Sequence, residues 1–206
     1  MSDEFTTLRG ETRAEMKVQG SRFLAAALPI ATREDAEQFL ETERTRYHDA
    51  THHCFAYRLG TDGTQFRYSD AGEPTGSAGK PILAAIDAQG VTNVIVVVTR
   101  YFGGTKLGVG RLARAYHNAA SLALQQAERL TRYKTACIEI TFPHSHIGDV
   151  MHVLSKLGGK ILDTTYDEDV HALVEVRLSQ AEELKRALVN QTRGNIAMKM
   201  ISAVSP

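Results

Sequence analysis

The chain has 206 residues, 43% of them apolar and 23% charged, enough for one large core or two small ones and too apolar for a disordered chain. Lys plus Arg and Asp plus Glu balance at 24 each, a zero net charge that argues against a strongly basic nucleic-acid-binding chain. No apolar run approaches the roughly 20 residues of a membrane helix, so no membrane partner is expected.

The polar, acidic start Ser2-Asp3-Glu4 predicts no secretory leader and a cytoplasmic location. The two cysteines, Cys54 and Cys137, lie far apart without a CxxC, and are expected as reduced thiols.

In chain order, Glu11 to Val18 and Ser21 to Leu28 read as strands turned at Gly20. Thr32 with Asp35 forms a capping-box pattern, and Ala36, Phe39, Leu40 and Tyr47 share one helical face over Arg33 to Arg46. His53 to Leu59 and Gln65 to Ser69 read as a hairpin around Gly60-Thr61-Asp62-Gly63. A glycine-rich loop, Asp70 to Ser77, precedes a helix that starts near Ala78 and tolerates Pro81 in its first turn. Asn93 to Thr99 is nearly all β-branched and apolar, as in a strand covered on both faces. A second glycine-rich loop, Tyr101 to Gly110, opens a helix with Leu112, Ala115, Tyr116, Ala119 and Ala123 inward and Arg111, Arg114, Asn118, Ser121 and Gln125 outward.

The pattern changes near residue 130. Ala136, Ile138, Ile140 and Phe142 alternate as a strand. Ile147, Val150, Met151, Leu154 and Leu157 mark a helix stopped by Gly158-Gly159. Lys160 to Tyr166 and Val170 to Leu178 read as strands around Asp167-Glu168-Asp169. Ser179 and Glu182 make a second capping-box pattern before the helix of Leu184 and Leu188, and Asn195 to Ile201 closes as a strand. The expected class is α+β, with domains at 1–130 and 131–206, the second a β-α-β-β-α-β ferredoxin-like unit.

Both glycine loops precede helices, whose N-termini expose unpaired N–H groups and attract anions. The first is a near miss to a P-loop: Gly79-Lys80 is present, but Pro81 replaces the hydroxyl residue and Pro74 the first glycine. Gly108-Val109-Gly110 with Ala113 resembles a dinucleotide fingerprint, yet lies too far beyond its strand for the tight turn required. Between Asp87 and Glu128 no acidic residue occurs, while Arg100, Lys106, Arg111 and Arg114 do, which predicts a locally positive surface. His48, His52, His53 and Cys54 cluster without a second ligand group, so no metal is expected. No nucleophile elbow is present and no catalytic residue is assigned.

Four stretches in order resemble the IMPACT/YigZ family: GSRFLA (Gly20 to Ala25), ATHHCFAY (Ala50 to Tyr57), SDAGEPTGSAGKPIL (Ser69 to Leu83) and VIVVVTRYFGGTKLGVGRLARAY (Val94 to Tyr116). The resemblance implies an N-terminal domain like the second domain of a small-subunit ribosomal protein, and a role in translation or its regulation. Ala71 and Ser77 depart from the family pattern, where an acidic residue and threonine are common. The expected ligand or nucleic-acid contacts are Arg22, His52, Asp70, Glu73, Lys80, Arg100, Tyr101, Phe102, Gly103, Gly104, Lys106, Arg111 and Arg114. The expected partner is RNA, the ribosome or a translation-associated protein, with no cofactor. The alternative is a phosphate-binding enzyme for a nucleotide or other small molecule, using the same loops.

Overall fold

A computed structural model describes residues 3–204, with side chains to Ile201. The chain divides into two compact units, Phe5–Arg132 and residues 3–4 with 133–204.

In the first unit, β2 (Thr12–Val18), β3 (Ser21–Pro29), β4 (His52–Leu59), β5 (Gln65–Ser69) and β6 (Val94–Tyr101) form one sheet in the order β2-β3-β6-β4-β5, each pair antiparallel. β6 is central, as its unbroken apolar run requires. Its alternate side chains enter two separate cores. Val94, Val96 and Val98 pack under α2 (Gly79–Gln89) and α3 (Val109–Gln126), whereas Ile95 and Val97 face α1 (Arg33–Arg46). The capping box of α1 forms as read, Thr32 accepting from Asp35 N and Asp35 from Thr32 N. The helix also buries Glu43, which the apolar pattern does not mark; Arg13 on β2 satisfies it through two bonds of 3.0 and 2.6 Å.

A further strand pair, β1 (Glu4–Leu8) with β7 (Arg129–Tyr133), has no counterpart in the sequence reading. Leu8 from β1 is nevertheless fully buried in the core under α2 and α3.

The second unit runs β8 (Thr135–Phe142), α4 (Ile147–Lys156), β9 (Lys160–Tyr166), β10 (Val170–Arg177), α5 (Ala181–Gln191) and β11 (Ala197–Val204). The strand order β11-β8-β10-β9 is that of a ferredoxin-like sheet. One local reading is corrected. Ser179 and Glu182 form no capping box, because residues 178–180 make a short 3-10 turn and Ser179 instead donates its hydroxyl to Asp3 at 2.6 Å.

Candidate functional site

The ends of β3, β6, β4 and β5 gather the motifs at one end of the five-stranded sheet. Register places Arg100 beside Phe23 on one neighbour and His52 on the other. Arg100 continues the row of Val94, Val96 and Val98, so its side chain enters the layer under α2 and α3 rather than solvent. It is 5% exposed.

There Arg100 Nη1 donates to Glu73 Oε1 at 2.7 Å, and the Tyr116 hydroxyl donates to the same oxygen at 2.7 Å. Arg100 Nη2 donates to Ser21 Oγ at 3.3 Å, which also accepts from Gly103 N at 3.2 Å. The guanidinium carbon lies 5.5 Å from the Phe23 ring centre and 5.4 Å from that of Phe102. His52 Nδ1 donates to the Ala71 carbonyl at 2.9 Å, and its Nε2 stands 3.8 Å from Glu73. The Cys54 thiol donates to the Asp70 carbonyl at 2.9 Å, and burial pushes it up to about 12. Burial likewise raises the Tyr116 hydroxyl far above its ordinary value. A buried charge is tolerated when paired and hydrogen-bonded; here the pairing ties loop 70–78, loop 102–108 and the turn at Gly20 into one body.

Close backbone contact completes the lock. A Cβ on Gly103 would stand 2.0 Å from Gly20 C, and one on Gly79 would stand 2.7 Å from Ser69 N. Glycine is therefore required at both positions.

Asp70 turns its carboxylate onto the start of α2. Oδ1 accepts from Ala78 N and Gly79 N at 2.9 and 2.8 Å, and Oδ2 from Gly76 N at 2.8 Å. Burial raises its pKa, but the three N–H donors outweigh burial and hold it below the ordinary carboxyl value. The place for an outside anion at the first loop is thus filled by the chain's own carboxylate.

Of the expected contact residues in and beside the first loop, three turn onto the chain's own groups. Asp70 caps, Glu73 and Arg100 neutralise each other, and only Lys80 remains exposed. Arg22 is exposed but forked onto Glu15, at 3.0 and 3.3 Å. Tyr101 is half-buried and donates its hydroxyl to Asp49 at 2.7 Å.

The second loop is open. Phe102 is 46% exposed, and Gly104, Lys106, Arg111 and Arg114 are exposed. Every arginine from Arg9 to Arg100 is in an ion pair, whereas Lys106, Arg111 and Arg114 have no carboxylate partner among the described residues. The N-cap of α3 is Gly108, with no side-chain cap and no acid in the first turn. Arg111 stands in that turn, and Arg114 lies beside it at helical spacing. A cation there opposes the helix dipole and costs stability. His117, one turn further, donates to the Pro81 carbonyl at 3.2 Å, which brings the start of α2 alongside.

The sequence reading missed Ser21 and Tyr116 as members of the buried cluster. Tyr116 carried the signal, since a tyrosine on an inward helical face must find a partner for its hydroxyl. Among the described residues no three His, Cys, Asp or Glu side chains converge on a metal position. Nor does any described helix have the length and apolarity to cross a membrane.

Fold and site together define a two-domain α+β protein whose first unit locks two glycine loops and leaves one of them open to solvent. Residues 19–124 match the Impact N-terminal domain, and residues 140–195 match a domain of unknown function, DUF1949. The chain belongs to the IMPACT family. It is 33% identical to the IMPACT family member YigZ of Escherichia coli over 90% of its own length and 92% of that protein. It is 43% identical to an IMPACT family member of Thermus thermophilus over 66% of its length and 73% of that protein. The match to the Saccharomyces cerevisiae IMPACT homolog, 35% identical, covers 45% of this chain and 37% of that protein. A crystal structure titled only as a hypothetical protein aligns over 98% of this chain and 99% of its own, with a TM-score of 0.75 at 28% identity.

Proposed function

We propose that this protein is a non-catalytic binding protein acting in translation or its regulation, in the cytoplasm, and that loop 102–108 with the first turns of α3 is the face it presents to RNA on the ribosome. The observation that carries the reading is the set of unpaired cations, Lys106, Arg111 and Arg114, on a chain whose preceding arginines are all paired. Lysine and arginine contact phosphates, the open α3 terminus adds N–H donors, and exposed Phe102 offers a ring on which a base can stack. Family membership supports the translation setting. The reactive groups nearby support binding over catalysis, since the Cys54 thiol is buried and protonated and Glu73 is held by Arg100 and Tyr116.

Titration with ribosomes and with a structured RNA at about 50 and 150 mM salt tests the reading. Binding should weaken with a log–log salt slope of roughly two to three for three phosphate contacts. Replacing Lys106, Arg111 and Arg114 by alanine should remove that slope. Absence of binding at the lower salt would overturn the reading.

A further inference from the structure

The second unit carries surface chemistry opposite in sign to loop 102–108. β9 is an edge strand, paired with β10 on one side only. Among the described residues its outward N–H and C=O groups have no sheet partner, a template that proteins ordinarily blunt or cover. A bulge at Leu162 shifts its register with β10, and Asp163 Oδ1 accepts from Thr164 N at 2.9 Å, while the rest of the edge stays open. Here the edge is flanked by apolar side chains, with Leu162 46% and Tyr166 67% exposed. Ile147 and Met151 of α4 are also exposed, and with Val150, Ile161 and Tyr166 they frame an apolar notch of about 30 Å³. That is room for the end of one aliphatic side chain. His144 stacks on Tyr166 at 6.4 Å and bonds through Nε2 to the Asp167 carbonyl at 3.0 Å, which fixes that wall.

Four carboxylates accompany the strand: Asp163 within it and Asp167, Glu168 and Asp169 in the turn that follows. Among the described residues the ion pairs of this unit are His146 with Asp149 and Lys185 with Glu182, so none of the four carboxylates is in an ion pair. The nearby lysines, Lys156 and Lys160, lie at the far end of the strand from Tyr166.

We infer that this edge takes an extended lysine- or arginine-rich segment of a partner protein, which adds a strand beside β9 and seats one apolar side chain in the notch. Main-chain bonds along the edge supply affinity, and alternate side chains supply selectivity. The carboxylates favour a basic occupant and repel nucleic acid. A second copy of this edge would bring like charges together, which disfavours self-pairing. The inference uses none of the residues of the RNA reading, so the two can fail separately.

The test uses the full chain and a labelled peptide alternating lysine and valine, with serine–valine and lysine–serine peptides as controls. The lysine–valine peptide should bind saturably, and each control should bind roughly tenfold more weakly or not at all. Asp163→Asn, Asp167→Asn and Glu168→Gln combined, and separately Tyr166→Ser, should each weaken binding by about tenfold without changing the thermal midpoint, because all four side chains are exposed. Alanine at Lys106 and Arg111 should leave peptide binding unchanged. The inference is overturned if the lysine–valine peptide fails to bind at low salt, or if its binding survives both sets of changes. Tighter binding of RNA than of peptide at this edge would also overturn it, as would a concentration-dependent dimer lost on Tyr166→Ser.

Discussion

Loop 70–78 and loop 102–108 each leave a strand of the same sheet, carry several glycines and enter a helix, yet they end in opposite electrostatic states. The first places Asp70 where its carboxylate covers the N–H groups at the start of α2. The second begins its helix with glycine and valine and puts Arg111 where a carboxylate would be favourable. A glycine-rich turn before a helix is therefore not in itself an anion site. What decides is whether the chain has already supplied the anion.

The largest effects should come from the body that both loops share. Arg100→Ala leaves Glu73 buried beside Tyr116 without its cation, and should cost about 3–5 kcal/mol in urea unfolding. Replacing Arg100 and Glu73 together by Met and Leu should recover much of that loss; a double variant as unstable as the single one would show that the pair is not the cause. Gly103→Ala should be next, at about 1–3 kcal/mol, because its Cβ would meet backbone that cannot swing aside. If Gly103→Ala left stability unchanged, the contact with Gly20 would not be a real constraint.

The fold was legible where periodicity is strict. The alternation of Ala136 to Phe142 and the β-branched run before Thr99 specify strands directly, and the second unit's order follows from its pattern. β1 was not legible because its five residues carry no turn signal and their partner strand lies more than a hundred positions away. The candidate site was legible in membership but not in division of labour. Arg100 and Lys106 both appear in the sequence as loop cations. Register alone turns Arg100 inward beside Phe23 and His52, and register depends on pairing across residues 22, 52 and 100. Ser179 shows the converse, a local capping pattern overridden by Asp3, which is distant in sequence.

Asp70→Ala should cost about 1–2 kcal/mol, the range for losing a side chain that accepts from the N–H groups at a helix start, here from outside the N-cap position held by Ala78. The folded carboxyl is depressed below its ordinary value of 3.8. Its contribution is therefore complete above about pH 4 and lost as the pH falls through the folded value. An acid titration of stability should show a shallower fall in the variant than in the parent chain. The variant also empties the start of α2, so sulfate should stabilise it more than it stabilises the parent. Equal sulfate dependence would mean that the carboxylate was not what closed the first loop.

Arg111 gives the smallest effect on stability and the sharpest separation of folding from binding. At the positive end of α3, Arg111→Glu replaces an unfavourable charge with a favourable one and should stabilise the fold by about 0.3–1 kcal/mol. The same change puts a carboxylate where the RNA reading needs a cation, so ribosome binding should be lost while the thermal midpoint rises. A sequence selected only for stability has no reason to keep arginine in that turn. A variant that is more stable and binds as well as the parent would remove the reason for assigning Arg111 to the interface, and Lys106 and Arg114 would have to carry the salt dependence without it.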